Sequence, residues 1–360
     1  MVQRKYLALV SVLTGAVSVG CSDATRPADG GTDGGTEKTY TYVLSSLTID
    51  RDDSGPKHGF NLDNLFSNAA VPSDCNHEDH FARYPEDNDQ NCPRVNSDNT
   101  CAVTPNPGCA MGAPGCRGGV DNQLPAIADA IEAATSMDVR QLLNETVTQN
   151  KFALIVRITG VNNLMNDDRV RLFLYRGFPT FSTNCNTVEP GRTYQIDQAS
   201  LRSGGTTLDD AQFAFDGRIV NGRLQVTAPT GSIDLPLPEV RGQRITLTLQ
   251  SPQVRVNLTD TEGRSGNLGG AVSGNQLRDT VVRFAPDYAS QVNTLLGSVV
   301  DIEAMGVCVD NTTNPPRYGN IGLGLGFTMV EARIAETNTF ATSQMPGTCG
   351  YSSPSDGGRD

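Results

Sequence analysis

Tryptophan is absent from this 360-residue chain, and histidine occurs only three times, at His58, His77 and His80. The first absence removes the indole platforms on which sugars commonly stack. The second confines imidazole chemistry to one stretch, so any Ser-His-Asp triad would have to draw on it. There is no Gly-x-Ser-x-Gly elbow, no phosphate-binding loop and no dinucleotide fingerprint. Carboxylates are plentiful, but no motif pairs them for glycoside hydrolysis. Positive charge is in short supply: 28 Lys and Arg stand against 40 Asp and Glu, for a net charge of −12. That balance speaks against nucleic acid and anionic lipid head groups as partners and favours solubility. Beyond the first 20 residues no apolar run is long enough to span a bilayer.

What is present begins at the N-terminus. Arg4-Lys5 precedes the apolar run Leu9-Val10-Ser11-Val12-Leu13-Thr14-Gly15-Ala16-Val17-Ser18-Val19-Gly20, which ends in Cys21. The run has signal-peptide length, too short for a permanent span, and small residues lead into the cysteine. It resembles the lipobox of bacterial lipoproteins, with Ser18 where Leu is usual three residues before the cysteine. The resemblance implies cleavage before Cys21, a diacylglyceryl thioether on its sulfur, and acylation of the new amino group. Ser22, in place of Asp, implies sorting to the outer membrane, at its periplasmic face or the cell surface. Two or three acyl chains make such attachment lasting, where one would not. The competing reading is an ordinary secretory signal cleaved near Gly20, with Cys21 left to form a disulfide.

Residues 22 to 39 carry little to bury and much Gly, so residues 21–39 read as an acylated cysteine with a flexible tether. Random-coil scaling gives this tether a mean reach of roughly 20 to 25 Å. Residues 352–360 read as a disordered tail.

Between them, 40–351 reads as one β-rich domain. Period-two alternation marks strands at Tyr40, Tyr42 and Leu44, at Phe152 to Ile158, and at Arg169 to Arg176. The same alternation recurs at Phe213 to Phe215, Leu224 to Val226, Ile245 to Leu249 and Val254 to Leu258. Asn221-Gly222 between two such runs predicts a type I′ hairpin, and Asp216-Gly217 a bulge. In Ile321-Gly322-Leu323-Gly324-Leu325-Gly326-Phe327 one face is bare backbone, which predicts a closely packed cover, expected to be a helix. Helical spacing predicts one helix over Leu124 to Gln149, capped by Asp121 or Asn122 and broken and recapped at Ser136 to Asp138. A second is predicted over Pro286 to Val300. The expected class is therefore mainly β: an antiparallel sandwich or open barrel with two packed helices (residues 121–149 being helical) and a disulfide-rich loop insert at 68–120.

Of nine cysteines, Cys21 is claimed by the lipobox, which leaves an even set. Cys75, Cys92, Cys101, Cys109 and Cys116 crowd the insert, while Cys185, Cys308 and Cys349 are spread over the β region. In an oxidising compartment these should pair. Both groups are odd in number, so complete pairing requires at least one bridge from the insert to the β body; the connectivity itself stays open.

Two metal readings stand beside surface-loop alternatives. Cys75-Asn76-His77-Glu78-Asp79-His80 crowds two imidazoles with carboxylates, and His77 and His80 with His58 could share a zinc, with Glu78 beside them and a position open for water. The spacing is one residue short of His-Glu-x-x-His. Glu86 to Asp98 offers oxygen ligands at alternating positions, notably Asp87, Asp89 and Asn91, which suits calcium. Asn91-Cys92-Pro93-Arg94-Val95 is similar to the core of a thrombospondin type 3 repeat, without that motif's loop Gly and without a second copy. Finally, the paired Asp63-Asn64 and Asp121-Asn122 motifs, with the Gly-rich run Gly266 to Val272, give a distant likeness to large uncharacterised lipoproteins of predatory soil deltaproteobacteria, from which no activity follows.

The sequence thus predicts a lipid-anchored, non-enzymatic cell-envelope protein that presents a disulfide-stapled β domain to an envelope protein or small ligand. The alternative is a metal-dependent hydrolase using His58, His77 and His80.

Overall fold

The computed structural model describes residues 37–51, 56–62, 75, 83–84, 120–135, 138–150, 153–180, 187–228, 232–240, 243–284, 286, 289–304, 307–337 and 339–342. Thirteen strands are present among them. In chain order they are β1 (Lys38–Thr48), β2 (Ala153–Val161), β3 (Asn166–Pro179), β4 (Arg192–Asp197), β5 (Phe213–Val220), β6 (Arg223–Thr227) and β7 (Ser232–Val240), then β8 (Gln243–Leu258), β9 (Glu262–Ser273), β10 (Val309–Asp310), β11 (Arg317–Tyr318), β12 (Asn320–Ile334) and β13 (Phe340–Ala341). The helices are α1 (Leu124–Thr135), α2 (Val139–Thr148), α3 (Gly274–Phe284) and α4 (Ala289–Val299). None of the described helices is long and apolar enough to cross a membrane.

The mainly β, antiparallel body expected from the alternation is present, and its sheet closes. Strands β1-β2-β3-β5-β6-β8-β9-β12 run in hydrogen-bonded order, and β12 returns to β1 through Tyr42↔Glu331, Val43↔Val330 and Leu44↔Met329. Closure removes the exposed edges that an open barrel would carry. The Asn221-Gly222 hairpin joins β5 to β6, with φ of 51° and 78° at the two turn residues. The bulge lies not at Asp216-Gly217 but on β3, between Asp167 and Val170, opposite the step from Gly217 to Ile219.

A second, smaller ring shares the same wall. β4 pairs antiparallel with the end of β3 (Gly177↔Ile196, Pro179↔Tyr194) and parallel with the end of β12 (Ala332↔Arg192, Ile334↔Tyr194), which completes a circuit β1-β2-β3-β4-β12. The shared strands are therefore apolar on both faces. Tyr42, Leu44, Val156, Ile158, Leu172 and Leu174 fill the large ring, while Val43, Ile155, Phe173 and Tyr175 pack with Tyr194, Ile196 and Ala332 in the small one. This explains why these strands carry consecutive apolar residues such as Ile155-Val156 and Leu172 to Tyr175. Two buried phenols find polar ends there: Tyr175 donates to the Leu208 carbonyl (2.5 Å) and Tyr194 to Asn150 Oδ1 (3.0 Å). Burial pushes each up to about 12.

The helices extend the core of the large ring, α4 burying Leu296 and Val299 and α1 burying Ile127. The first expected helix does break as predicted: Asn122 Oδ1 caps α1 at the Leu124 amide (3.1 Å) and Asp138 Oδ1 caps α2 at the Gln141 amide (2.8 Å). α4 falls within the second expected helix. α3, β4, β7 and β9 lie outside the elements expected from the sequence, and β1 starts at Lys38, inside the expected tether.

The bare face of β12 is covered, but by extended chain and not by a helix. Gly322, Gly324 and Gly326 pair with Ala271, Gly269 and Asn267 of β9, so that small residues form a flat floor on the outer wall. Residues 57–61 and 121–122 lie directly on it. A Cβ on Gly322 would come 2.5 Å from Asp121 Cβ, one on Gly269 2.5 Å from the Phe60 ring, and one on Gly324 would strike the His58 carbonyl. Gly324→Ala should therefore cost about 1–3 kcal/mol through forced displacement of the covering segment. Gly297→Ala, on the exposed face of α4 with nothing within 4 Å, should be neutral or gain about 0.5–1 kcal/mol. Urea unfolding midpoints of the two variants check this contrast.

Candidate functional site

The covering segment meets the outer wall in a cluster of buried polar groups. Its centre is Asp50, just past the end of β1 and 4% exposed. The Asp50 carboxylate accepts the His58 amide at 2.6 Å, lies 3.0 Å from His58 Nδ1 through either oxygen, and accepts Arg83 at 2.7 Å. Burial alone would raise this carboxyl. The hydrogen bonds and charge interaction from His58, with the Arg83 guanidinium, outweigh it and hold Asp50 below the ordinary carboxylate range. The Asp50 carbonyl in turn accepts Arg140 Nε and Nη2 at 3.0 and 2.9 Å. Arg140 also pairs with Asp129 and Glu132, so one guanidinium ties α1 and α2 to the end of β1.

Two asparagines clamp the segment to the floor. Asn267 on β9, 1% exposed, accepts from the Gly59 amide and donates to the Gly59 carbonyl, both at 2.8 Å, much as a neighbouring strand would. Asn122 donates to the His58 carbonyl (2.7 Å) and to the Gly324 carbonyl (3.2 Å), and accepts from the Gly324 amide (2.9 Å). Aromatic groups complete the seat: Arg255 of β8 stacks 5.2 Å from the Phe60 ring and Arg223 of β6 lies 5.5 Å from the Tyr84 ring, which meets His58 edge-on. Lys57, wholly buried, donates to the Arg51 carbonyl.

The His58–Asp50 pair has the composition of a base with its orienting carboxylate, but its second edge is closed. Nε2 and Cε1 face the bare Cα of Gly326, where an added Cβ would strike the ring. A general base needs that nitrogen within reach of a substrate proton; here it abuts a strand. The arrangement performs a mechanical task, fixing residues 57–61 and the segment leading to α1 against the barrel.

Of the expected zinc set only His58 belongs to the described residues; His77, His80 and Glu78 lie outside them, as do the calcium candidates Asp87, Asp89 and Asn91. His58 presents Nδ1 to Asp50 and Nε2 to the strand, an environment that suits a structural histidine better than a shared ligand. Among the described residues no three His, Cys, Asp or Glu side chains converge as metal ligands. Cys75 and Cys308 form a disulfide with Cα atoms 5.2 Å apart, one bridge of the kind that the odd-numbered groups require between insert and β body. Cys21, Cys92, Cys101, Cys109, Cys116, Cys185 and Cys349 lie outside the described residues. Asp50, Arg83, Phe60 and Asn267 were not singled out by the sequence. The one available signal was an Asn among glycines in Gly266-Asn267-Leu268-Gly269.

A further feature lies inside the large ring: an apolar cavity between β1, β2, β3, β8, β9 and β12.

Asp50→Asn should lower stability by about 1.5–3 kcal/mol at neutral pH, the range for hydrogen bonds to a charged group. Because the folded carboxyl sits below its unfolded value of about 3.9, its contribution is complete above that pH and is lost as pH falls through the folded value. Denaturant midpoints of wild type and variant should differ at pH 7 and converge below about pH 4; a constant difference across this range would contradict the assignment.

Comparison of the chain with protein-family models, with curated proteins and with solved structures finds no match.

Proposed function

We propose that this chain is a lipid-anchored protein of the bacterial cell envelope, held at the outer membrane through Cys21, whose role is binding or structural support and not catalysis. The observation that carries the reading is the N-terminal sequence: a basic start, an apolar run of signal-peptide length, and small residues ending in Cys21-Ser22. Two further features support it. Without Cys21 the cysteines form an even set, and the Cys75–Cys308 disulfide suits an exported protein in an oxidising compartment. The folded body also suits display, because closure of the sheet and the clamped outer segment make it a rigid object for the anchor to present.

The bland alternative, a secreted protein with an ordinary signal, differs at one atom: the sulfur of Cys21. Intact-mass measurement on protein from native envelopes should give a chain beginning at Cys21 and heavier by a diacylglyceryl group and an acyl group. Cys21→Ser should move the protein from the membrane to the soluble fraction. A thiol or a disulfide at Cys21 would overturn the reading.

A further inference from the structure

We propose that the interior of the large ring is a binding site for the end of a single unbranched hydrocarbon chain, the tail of a fatty acyl group. Its lining comes from six strands around the barrel: Leu44 of β1, Val156 of β2, Leu172 of β3, Val256 of β8, Leu268 of β9 and Met329 of β12 all border it, and no polar side chain is among the lining residues.

The space is a cavity of about 30 Å³ within about 450 Å³ of unfilled volume that includes open solvent. About 10–15 Å³ admits one water, but a water needs polar partners, and this lining supplies none. The lining therefore gives water no hold, and the groups that match its walls are methyl and methylene. Its width selects among apolar ligands. An eight-stranded ring leaves room only for its own side chains or one small ligand, and about 30 Å³, roughly two water-sized spheres, takes the last carbons of a chain one carbon wide and no part of a fused-ring lipid. Met329, unbranched and flexible, is suited to yielding as such a chain enters.

One edge of the interior is incompletely covered. Leu154, which lines it, is only half-buried. Phe213 and Phe215 pair with Leu174 and Leu172 and so share their inward face, yet both remain half-buried against the core. Inward-facing apolar residues that still meet solvent mark the side from which the interior is reached.

The chemistry is the same whether the tail belongs to a free fatty acid or to the lipid on Cys21. Only the second source rests on the anchoring proposed above, and the two can be separated. Full-length Cys21→Ser protein, which carries no lipid, would be titrated with cis-parinaric acid, whose fluorescence rises in an apolar site, and the probe then displaced with palmitate. Saturable binding at one probe per chain is expected. Val254→Phe, which fills the cavity from β8, should weaken it at least tenfold. Leu154→Phe, at the half-buried edge, provides the same test should the first variant fail to fold. The lipidated protein, titrated in parallel, identifies the source: refractory to the probe if its own chain occupies the site, responsive if the site takes free acyl chains. Absence of saturable binding in the Cys21→Ser protein, or affinity unchanged by a folded filling variant, would overturn the proposal whatever the mass at Cys21.

Discussion

The structure depends on a wall that is buried on both faces. β1 and β2, with the adjoining parts of β3 and β12, close one ring with Tyr42, Leu44, Val156 and Leu172 and a second ring with Val43, Ile155, Phe173 and Tyr175. A one-residue slip in an ordinary half-buried strand exchanges core for solvent. Here it would exchange one core for another with different partners, so register is held by two sets of packing at once. The pairings of β12 with β1 and of β4 with both β3 and β12 are what turn a curved sheet into two closed circuits. The outer segment, the helices and the cavity all take their positions from that closure.

The second organising element is the floor of small residues on β9 and β12. Removing side chains from an outer wall normally weakens a strand. In this protein it lets backbone lie on backbone, with Asn267 and Asn122 supplying the hydrogen bonds that strand pairing would have given. Asp50, His58, Arg83 and Arg140 then join this segment to β1, α1 and α2. The Cys75–Cys308 bridge ties the continuation of the same segment to the region before β10. The buried polar cluster around Asp50 is thus a fastening, which fits a protein whose proposed role is presentation.

Much of the architecture was legible because its signals are local. Asn221-Gly222 specified its turn, Asp138 its cap, and alternation in β2, β3, β5, β6 and β8 named the strands. The Gly face of β12 announced a close approach, but glycine records only that something is near. The identity of the cover depended on a segment more than 200 residues away in sequence, and it proved to be extended chain. β9 escaped notice because Gly263, Gly266, Gly269 and Gly270 suppress the alternation by which strands are recognised. α3 begins directly at the end of β9, and its start signal, Ser273 with Oγ accepting the Gln276 amide at 3.4 Å, is the last residue of that glycine-rich strand. For the candidate site, His58 was found by its rarity, whereas its partner Asp50, and Arg83, which pairs with Asp50, are common residue types separated from it by 8 and 25 positions; nothing in spacing distinguishes them from surface charges. Ring closure itself is a long-range property, since Tyr42↔Glu331 links the two ends of the folded body.

Native-state hydrogen exchange tests the two-faced wall most directly. Amides of β1 and β2, and those of β12 that bond to β1 near Val43↔Val330, should be the slowest in the protein and exchange only with global unfolding, because opening either ring exposes both cores. If these amides exchange well before those of β5 and β6 on the opposite side of the large ring, the wall is not what holds the barrel closed.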